Sequence, residues 1–282
     1  MGPIFSFSRD LALSLAGPGY PPGPINAFAC LVPREGLEPS RHHWHRILSP
    51  ARLPVPPPRR AEKPLSIPAM ELRRISFSRD QTPVFQSLSL TLNEPRIGLI
   101  GANGSGKSSL LRLIKGLHTP DAGEIVGTTS TGMVFQNPEH QLLFPTVMEE
   151  LCFGLIEQGM PEPAARAQAM SILGRYGAQD LADKATHELS DGQKQLVCIL
   201  EVLIDGAQCL LLDEPCASLD HAARRAVMAL IRALPQQVIM ASHDLPLLES
   251  FDRVIWLESG AVRQDGPPQA VITAYLSSMN AA

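Results

Sequence analysis

Paired cysteines, long apolar runs and an excess of charge of one sign are what this 282-residue chain has least of, and each shortage removes a class of protein. Its five cysteines, at positions 30, 152, 198, 209 and 216, form no C-x-x-C pair and are too sparse for a disulfide framework, so a reducing cytosol is the expected compartment. The longest apolar runs, around Leu196–Leu203 and Cys209–Leu212, fall far short of the ~18 to 20 residues that a membrane-spanning helix needs. With 24 basic against 28 acidic residues, the net charge of −4 offers no bulk electrostatic grip on nucleic acid, and none is expected as a partner. The apolar stretch Leu11–Gly17 has Asp10 directly before it and no basic region upstream, which argues against a secretory signal. What remains is 44% hydrophobic, enough for one large domain or two small ones.

Composition divides the chain near Met70. Residues 1–69 carry 14 of the 26 prolines and eight basic against four acidic side chains, in runs such as GPGYPPGP and LPVPPPRR. Proline removes the amide donor and restricts the residue before it, so such runs sustain neither helix nor sheet ladder. The expectation for 1–69 is a disordered extension outside the working domain, with Met70 a candidate start. Part of it, VPREGLEPSRHHWHRILSPARLPVPPPRR, resembles the spurious peptides obtained when a structural-RNA gene is read as protein. A basic tail that touches anionic lipid or a partner is the rival reading.

From Met70 onward strand-like and helix-like segments alternate. Leu88–Leu92, Arg96–Ile100, Cys209–Leu212, Gln237–Ala241 and Val254–Leu257 read as strands; the segment from Lys107 and those over Ala164–Tyr176, Gln195–Ile204 and Ala222–Leu234 read as helices. That alternation predicts an α/β fold, a mostly parallel sheet covered by helices. No internal repeat is present.

Residues 101–108 read GANGSGKS, which fits G-x-x-x-x-G-K-[ST] between a predicted strand and a predicted helix. Gly101, Gly104 and Gly106 let the backbone come close to an anion, Lys107 would neutralise β- and γ-phosphate charge, and the Ser108 hydroxyl would ligate Mg²⁺. Asn103, Ser105 and Ser109 complete the expected phosphate-binding set. The segment CLLLDE, residues 209–214, supplies an apolar strand ending in two carboxylates. Asp213 is placed to hold Mg²⁺ and Glu214 to orient or deprotonate a water attacking the γ-phosphate. Together these motifs predict a nucleotide held with Mg²⁺, but not a reaction; the resemblance that follows implies that the nucleotide is ATP.

LSDGQ at Leu189–Gln193, taken with GANGSGKS and LLLDEP in this order and spacing, resembles the ATP-binding-cassette ATPases over residues 70 to about 260. The resemblance implies a P-loop NTPase cassette of α/β class: a RecA-like mixed-sheet core, an antiparallel β subdomain and a helical signature subdomain at about 137–205. It also implies roles for single residues. Gln136 matches the glutamine loop, a contact to Mg²⁺ and the attacking water; Asp220 in SLD matches the D-loop; His243 in ASHDL matches the switch histidine. Ser190, Gly192 and Gln193 would meet the γ-phosphate of ATP bound by the other subunit of a homodimer. Three positions depart from the family pattern: Asp191 where glycine is commoner, Cys216 after DEP, and Arg79 where an aromatic side chain usually stacks on the adenine. A guanidinium plane can also stack there.

Within the family, FQNPEHQLLFPTVMEELCFGL and ASHDLPLLESFDRVIWL are similar to the ATPases of energy-coupling-factor importers, nearest to those serving biotin and next to those serving nickel or cobalt. That resemblance implies a peripheral dimer on the cytoplasmic face of the membrane, beneath a transmembrane coupling protein and a substrate-binding membrane protein. The contact is expected on residues 137–151, through His140, Gln141, Leu143, Phe144 and Val147. Non-transport branches fit less well: only 82 positions separate Lys107 from Leu189, with no heptad run for a coiled-coil insertion, and the chain holds one cassette. A small-molecule kinase would lack LSDGQ and the switch histidine.

Overall fold

The structure, a computed structural model, describes residues 70–127 and 130–280; the expectations for residues 1–69 lie outside them. β1 (Met70–Arg79) and β2 (Thr82–Leu92) form a hairpin closed by Asp80 and Gln81, both at positive φ, the two-residue turn whose twist suits antiparallel strands. β4 (Ala122–Val126) pairs with the other edge of β1, completing a three-stranded antiparallel sheet.

The second sheet has six strands. β3 (Arg96–Ile100), β5 (Thr131–Val134), β6 (Cys209–Asp213), β7 (Gln237–Ala241), β8 (Arg253–Glu258) and β9 (Ala261–Gly266) lie in the order β5-β6-β7-β3-β8-β9, all parallel except β9, which runs antiparallel to β8. β6 and β7 are buried at every residue, which is why they read as continuous aliphatic runs and not as alternating ones. The expected mixed sheet, antiparallel sheet and helices are all present.

Helices cover both faces. α1 (Lys107–Lys115) buries Leu110, Leu111, Leu113 and Ile114 in a core shared with the three-stranded sheet and one face of the large one. On the other face α4 (Asp191–Ile204) and α5 (His221–Ala233) pack with α2 (Val147–Glu157) and α3 (Glu162–Arg175), so the stretch expected to be helical, 137–205, holds α2, α3 and α4. α6 (Pro268–Asn280) returns along β8, anchored by buried Val271 and Ile272 and by Tyr275, whose ring meets Trp256 edge to face with centroids 5.3 Å apart. The chemistry-bearing loops therefore gather at the carboxyl ends of β3, β6 and β7, where open α/β sheets hold ligands.

Candidate functional site

The phosphate-loop sequence folds as a tight turn because three of its residues tolerate conformations that side chains resist. Gly101 has φ 144, Gly104 φ 80 and Gly106 φ 104. Gly101 and Gly106 also lack room: a Cβ on Gly101 would lie 2.1 Å from the Leu257 carbonyl oxygen, and one on Gly106 2.8 Å from the Phe85 ring. The loop is thus seated between β8 and β2. The first helical bond of α1 runs from the Leu110 N–H to the Gly106 carbonyl, so the N–H groups of Lys107, Ser108 and Ser109 precede the ladder at a helix N-terminus, an anion-binding arrangement.

Lys107 is buried, and its Nζ donates to the carbonyls of Gly101 at 2.8 Å and Ala102 at 3.1 Å. Burial lowers its pKa against the upward pull of Glu214 and Asp213, so the ammonium gains most from an anion brought into the same loop. Ser108 Oγ donates to Asp213 Oδ1 at 2.9 Å, joining two residues 105 positions apart. Burial raises the Asp213 pKa, opposed by that hydrogen bond and by Arg112 and Lys107. Hydroxyl and carboxylate form a hard-oxygen pair that fits Mg²⁺ shared with phosphate oxygens. Among the described residues no cluster of three His, Cys, Asp or Glu side chains is placed to hold a metal.

Glu214 follows β6 at φ 51, a left-handed conformation uncommon for glutamate, held by a bond from its N–H to the Ala241 carbonyl. The turn aims its carboxylate at His243: Oε2 lies 2.9 Å from Nδ1 and accepts the His243 backbone N–H at 3.3 Å. Gln136, just after β5, is exposed and lines the same cleft of about 1010 Å³ as the phosphate loop, Asp213, Glu214 and His243. Arg79 lies in this cleft too, with its guanidinium mostly exposed and 3.8 Å from Asp80.

The signature residues stand elsewhere. Ser190, Gly192 and Gln193 do not line that cleft; Ser190 is the N-cap of α4 and forms a capping box with Gln193, whose amide oxygen accepts the Ser190 N–H at 3.0 Å. Gln193 is buried and holds the Ser190 cap in place. Asp220 caps α5 by accepting from the Ala223 N–H at 2.7 Å and likewise lies outside the cleft.

Two expectations for the partner-facing segment need correction. Gln141 and Val147 point inward: Gln141 Oε1 accepts the Phe135 N–H at 3.3 Å while its Nε2 donates to Glu201 at 2.8 Å, and Val147 is fully buried. Burial pushes the Glu201 carboxyl up to about 7. The apolar surface nearby is a groove of about 240 Å³ between α2 and α3, lined by Phe144, Met148, Cys152, Phe153 and Ile156, of which the sequence pattern singled out only Phe144. The cleft also contains Val84, Tyr275 and Met279, which no motif marks.

The comparisons agree on one family. Residues 85–217 match the family model described as ABC transporter. The chain is 41% identical over 225 residues to the biotin transport ATP-binding protein BioM of Rhodobacter capsulatus, covering 76% of this chain and 96% of that protein. It is 39% identical over 232 residues to the nickel import ATP-binding protein NikO of the same organism, covering 73% and 91%. Among solved structures it resembles cbiO1 from Clostridium perfringens, described as part of the ABC transporter complex cbiONQ, at TM-score 0.65 and 29% identity over 72% of this chain and 90% of that one.

Proposed function

The chain belongs to the ATP-binding proteins of ABC transporters and is an ATPase; from that membership we propose that it powers an energy-coupling-factor importer whose cargo is biotin. The observation that carries the catalytic reading is the meeting of Ser108 with Asp213 and of Glu214 with His243 in one cleft with the phosphate loop. Gly101, Asn103, Gly104, Ser105, Gly106, Lys107, Ser108 and Ser109 hold the phosphates. Ser108, Asp213 and Gln136 would hold Mg²⁺, which would supply charge neutralisation for the phosphates. Water attacks the γ-phosphorus as its bond to the bridging oxygen breaks; Glu214 takes the water proton, and His243 keeps that carboxylate in line. ADP and phosphate leave.

Ser190 and Gly192 close the cleft of a second copy, with Asp220 at the shared seam. Their position outside their own cleft, at a helix N-terminus, supports this reading. Ser190→Arg is expected to lower hydrolysis by roughly 10²-fold or more, the scale of losing one oxyanion donor, while each chain still binds ATP. Equal loss of ATP binding would assign Ser190 to its own chain's cleft instead.

The groove between α2 and α3 takes a cytoplasmic helix of the membrane coupling protein, as part of a peripheral complex that also contains a substrate-binding membrane protein. Phe153, which lines the groove, is 46% exposed, and Leu143, next in the chain to the lining residue Phe144, is 77% exposed; among the described residues no helix is long and apolar enough to cross a membrane. Leu143→Asp with Phe153→Asp is expected to abolish co-purification with the coupling protein while leaving the isolated ATPase rate unchanged; retained co-purification would move the contact elsewhere. The similarity to NikO supports nickel as a second cargo. Uptake of labelled biotin against nickel by the reconstituted complex separates the two.

A further inference from the structure

A nucleotide held by its phosphates at the end of β3 has two directions in which to extend along the cleft. On one side stand Asp213, Glu214 and His243, at the ends of β6 and β7. These carboxylates and the exposed imidazole suit the reacting terminal phosphate. On the other side of β3 lies β8, and there the cleft changes character to Arg79, Val84, Tyr275 and Met279. The base therefore falls on the β8 side. Phe135, the other aromatic residue lining the cleft, follows β5 at the far edge of the sheet, on the terminal-phosphate side.

We propose that Tyr275, on α6, supplies the aromatic face on which the nucleotide base stacks, so that this helix completes the base subsite which the hairpin residue Arg79 only borders. The inference rests on the nucleotide reading above and adds to it the residue that grips the base. Three observations carry it. Val271, Tyr275 and Met279 recur at four-residue spacing on one face of α6: Val271 is buried against the core and the next two reach the cleft. Tyr275 packs on Trp256 at an interplanar angle of 80°, and an edge-to-face pair occupies at most one face of each ring, which leaves Tyr275 a face to offer. Trp256 is itself only 5% exposed, so the ring rests on a fixed support.

The surrounding backbone brings hairpin and helix to one end of the cleft. The β8–β9 turn has Ser259 at φ 49 and Gly260 at φ 74, and a Cβ on Gly260 would lie 1.7 Å from the Val84 carbonyl oxygen. Only a glycine turn lets the start of β2 sit this close to the β8–β9 turn. Arg79, by contrast, ends β1 with its side chain 62% exposed and, among the described residues, a long ion pair to Asp80. It is free to lie over a base from the solvent side, but ordering it costs side-chain entropy that the packed Tyr275 ring has already lost.

The test compares ATP with inorganic tripolyphosphate, which has the phosphates and no base, by calorimetry on the full chain with Mg²⁺. Tyr275→Leu keeps apolar packing on Trp256 without a π-face; Tyr275→Phe keeps the ring. Tyr275→Leu is expected to weaken ATP roughly 5- to 100-fold, the range for losing one base–aromatic stack, with tripolyphosphate unchanged and Tyr275→Phe close to the parent. The proposal is overturned if Tyr275→Leu binds ATP as the parent does, if it loses tripolyphosphate in equal measure, or if Arg79→Ala alone reproduces the selective loss. A parent chain that binds neither ligand would overturn the nucleotide reading itself, a different outcome from all of these.

Discussion

Glu214→Gln should bind ATP within a few-fold of the parent yet turn over 10²- to 10⁴-fold more slowly, the usual worth of a positioned general base. The substitution is nearly isosteric, and the glutamine oxygen can still accept the His243 backbone N–H that Glu214 accepts at 3.3 Å. What disappears is a basic oxygen beside the attacking water. Binding and chemistry thus separate: dimers formed on ATP should persist, and light scattering after gel filtration with MgATP should show a two-chain species that the parent passes through only briefly. Turnover above about a tenth of the parent rate would move the base elsewhere.

Lys107→Ala should strike the earlier step. In the parent, the ammonium donates to the loop carbonyls of Gly101 and Ala102 and is kept below its ordinary pKa by burial. A charged hydrogen bond to a phosphate contributes roughly 1.5–3 kcal/mol, so the dissociation constant for ATP should rise about 10- to 150-fold. Stability without nucleotide should change little, since the chain loses a partly desolvated charge along with two hydrogen bonds. Thermal unfolding reads both: the midpoint without ATP stays close to the parent, and the rise that ATP produces in the parent vanishes at equal ligand. A variant stabilised by ATP as fully as the parent would remove Lys107 from the phosphate site.

Much of this was legible in the sequence for a simple reason. β3 and β7 have the bounds read from the sequence, because each is one polar residue, Arg96 or Gln237, followed by an apolar run that a parallel strand buried on both faces requires. β9, AVRQDG, is an edge strand with alternating half-exposed residues, and it resembles a loop until β8 is there to pair with it. α4 was expected from Gln195 but starts at Asp191; the signal was Ser190 followed three residues later by Gln193, a capping box inside the LSDGQ motif. The inward turn of Gln141 and Val147 depends on α4 lying beneath them, which no local pattern encodes. Tyr275 was invisible for the same reason: its place in the cleft is set by Trp256, on another element.

The segment after Gln136 is fastened to α4: Glu139 pairs with Lys194 at 2.7 Å, Cys198 Sγ meets the Pro138 carbonyl, and Gln141 spans from the Phe135 N–H to the Glu201 carboxyl. One end of that fastened unit faces the chain's own cleft, and its other end is the Ser190 cap. Gln136 and Ser190 therefore stand at the two ends of one bonded unit within the same subunit. In the symmetric pair proposed above, such units would run crosswise, each joining one nucleotide to the wall of the other, so the two sites would sense each other's occupancy without passing through the membrane protein at all.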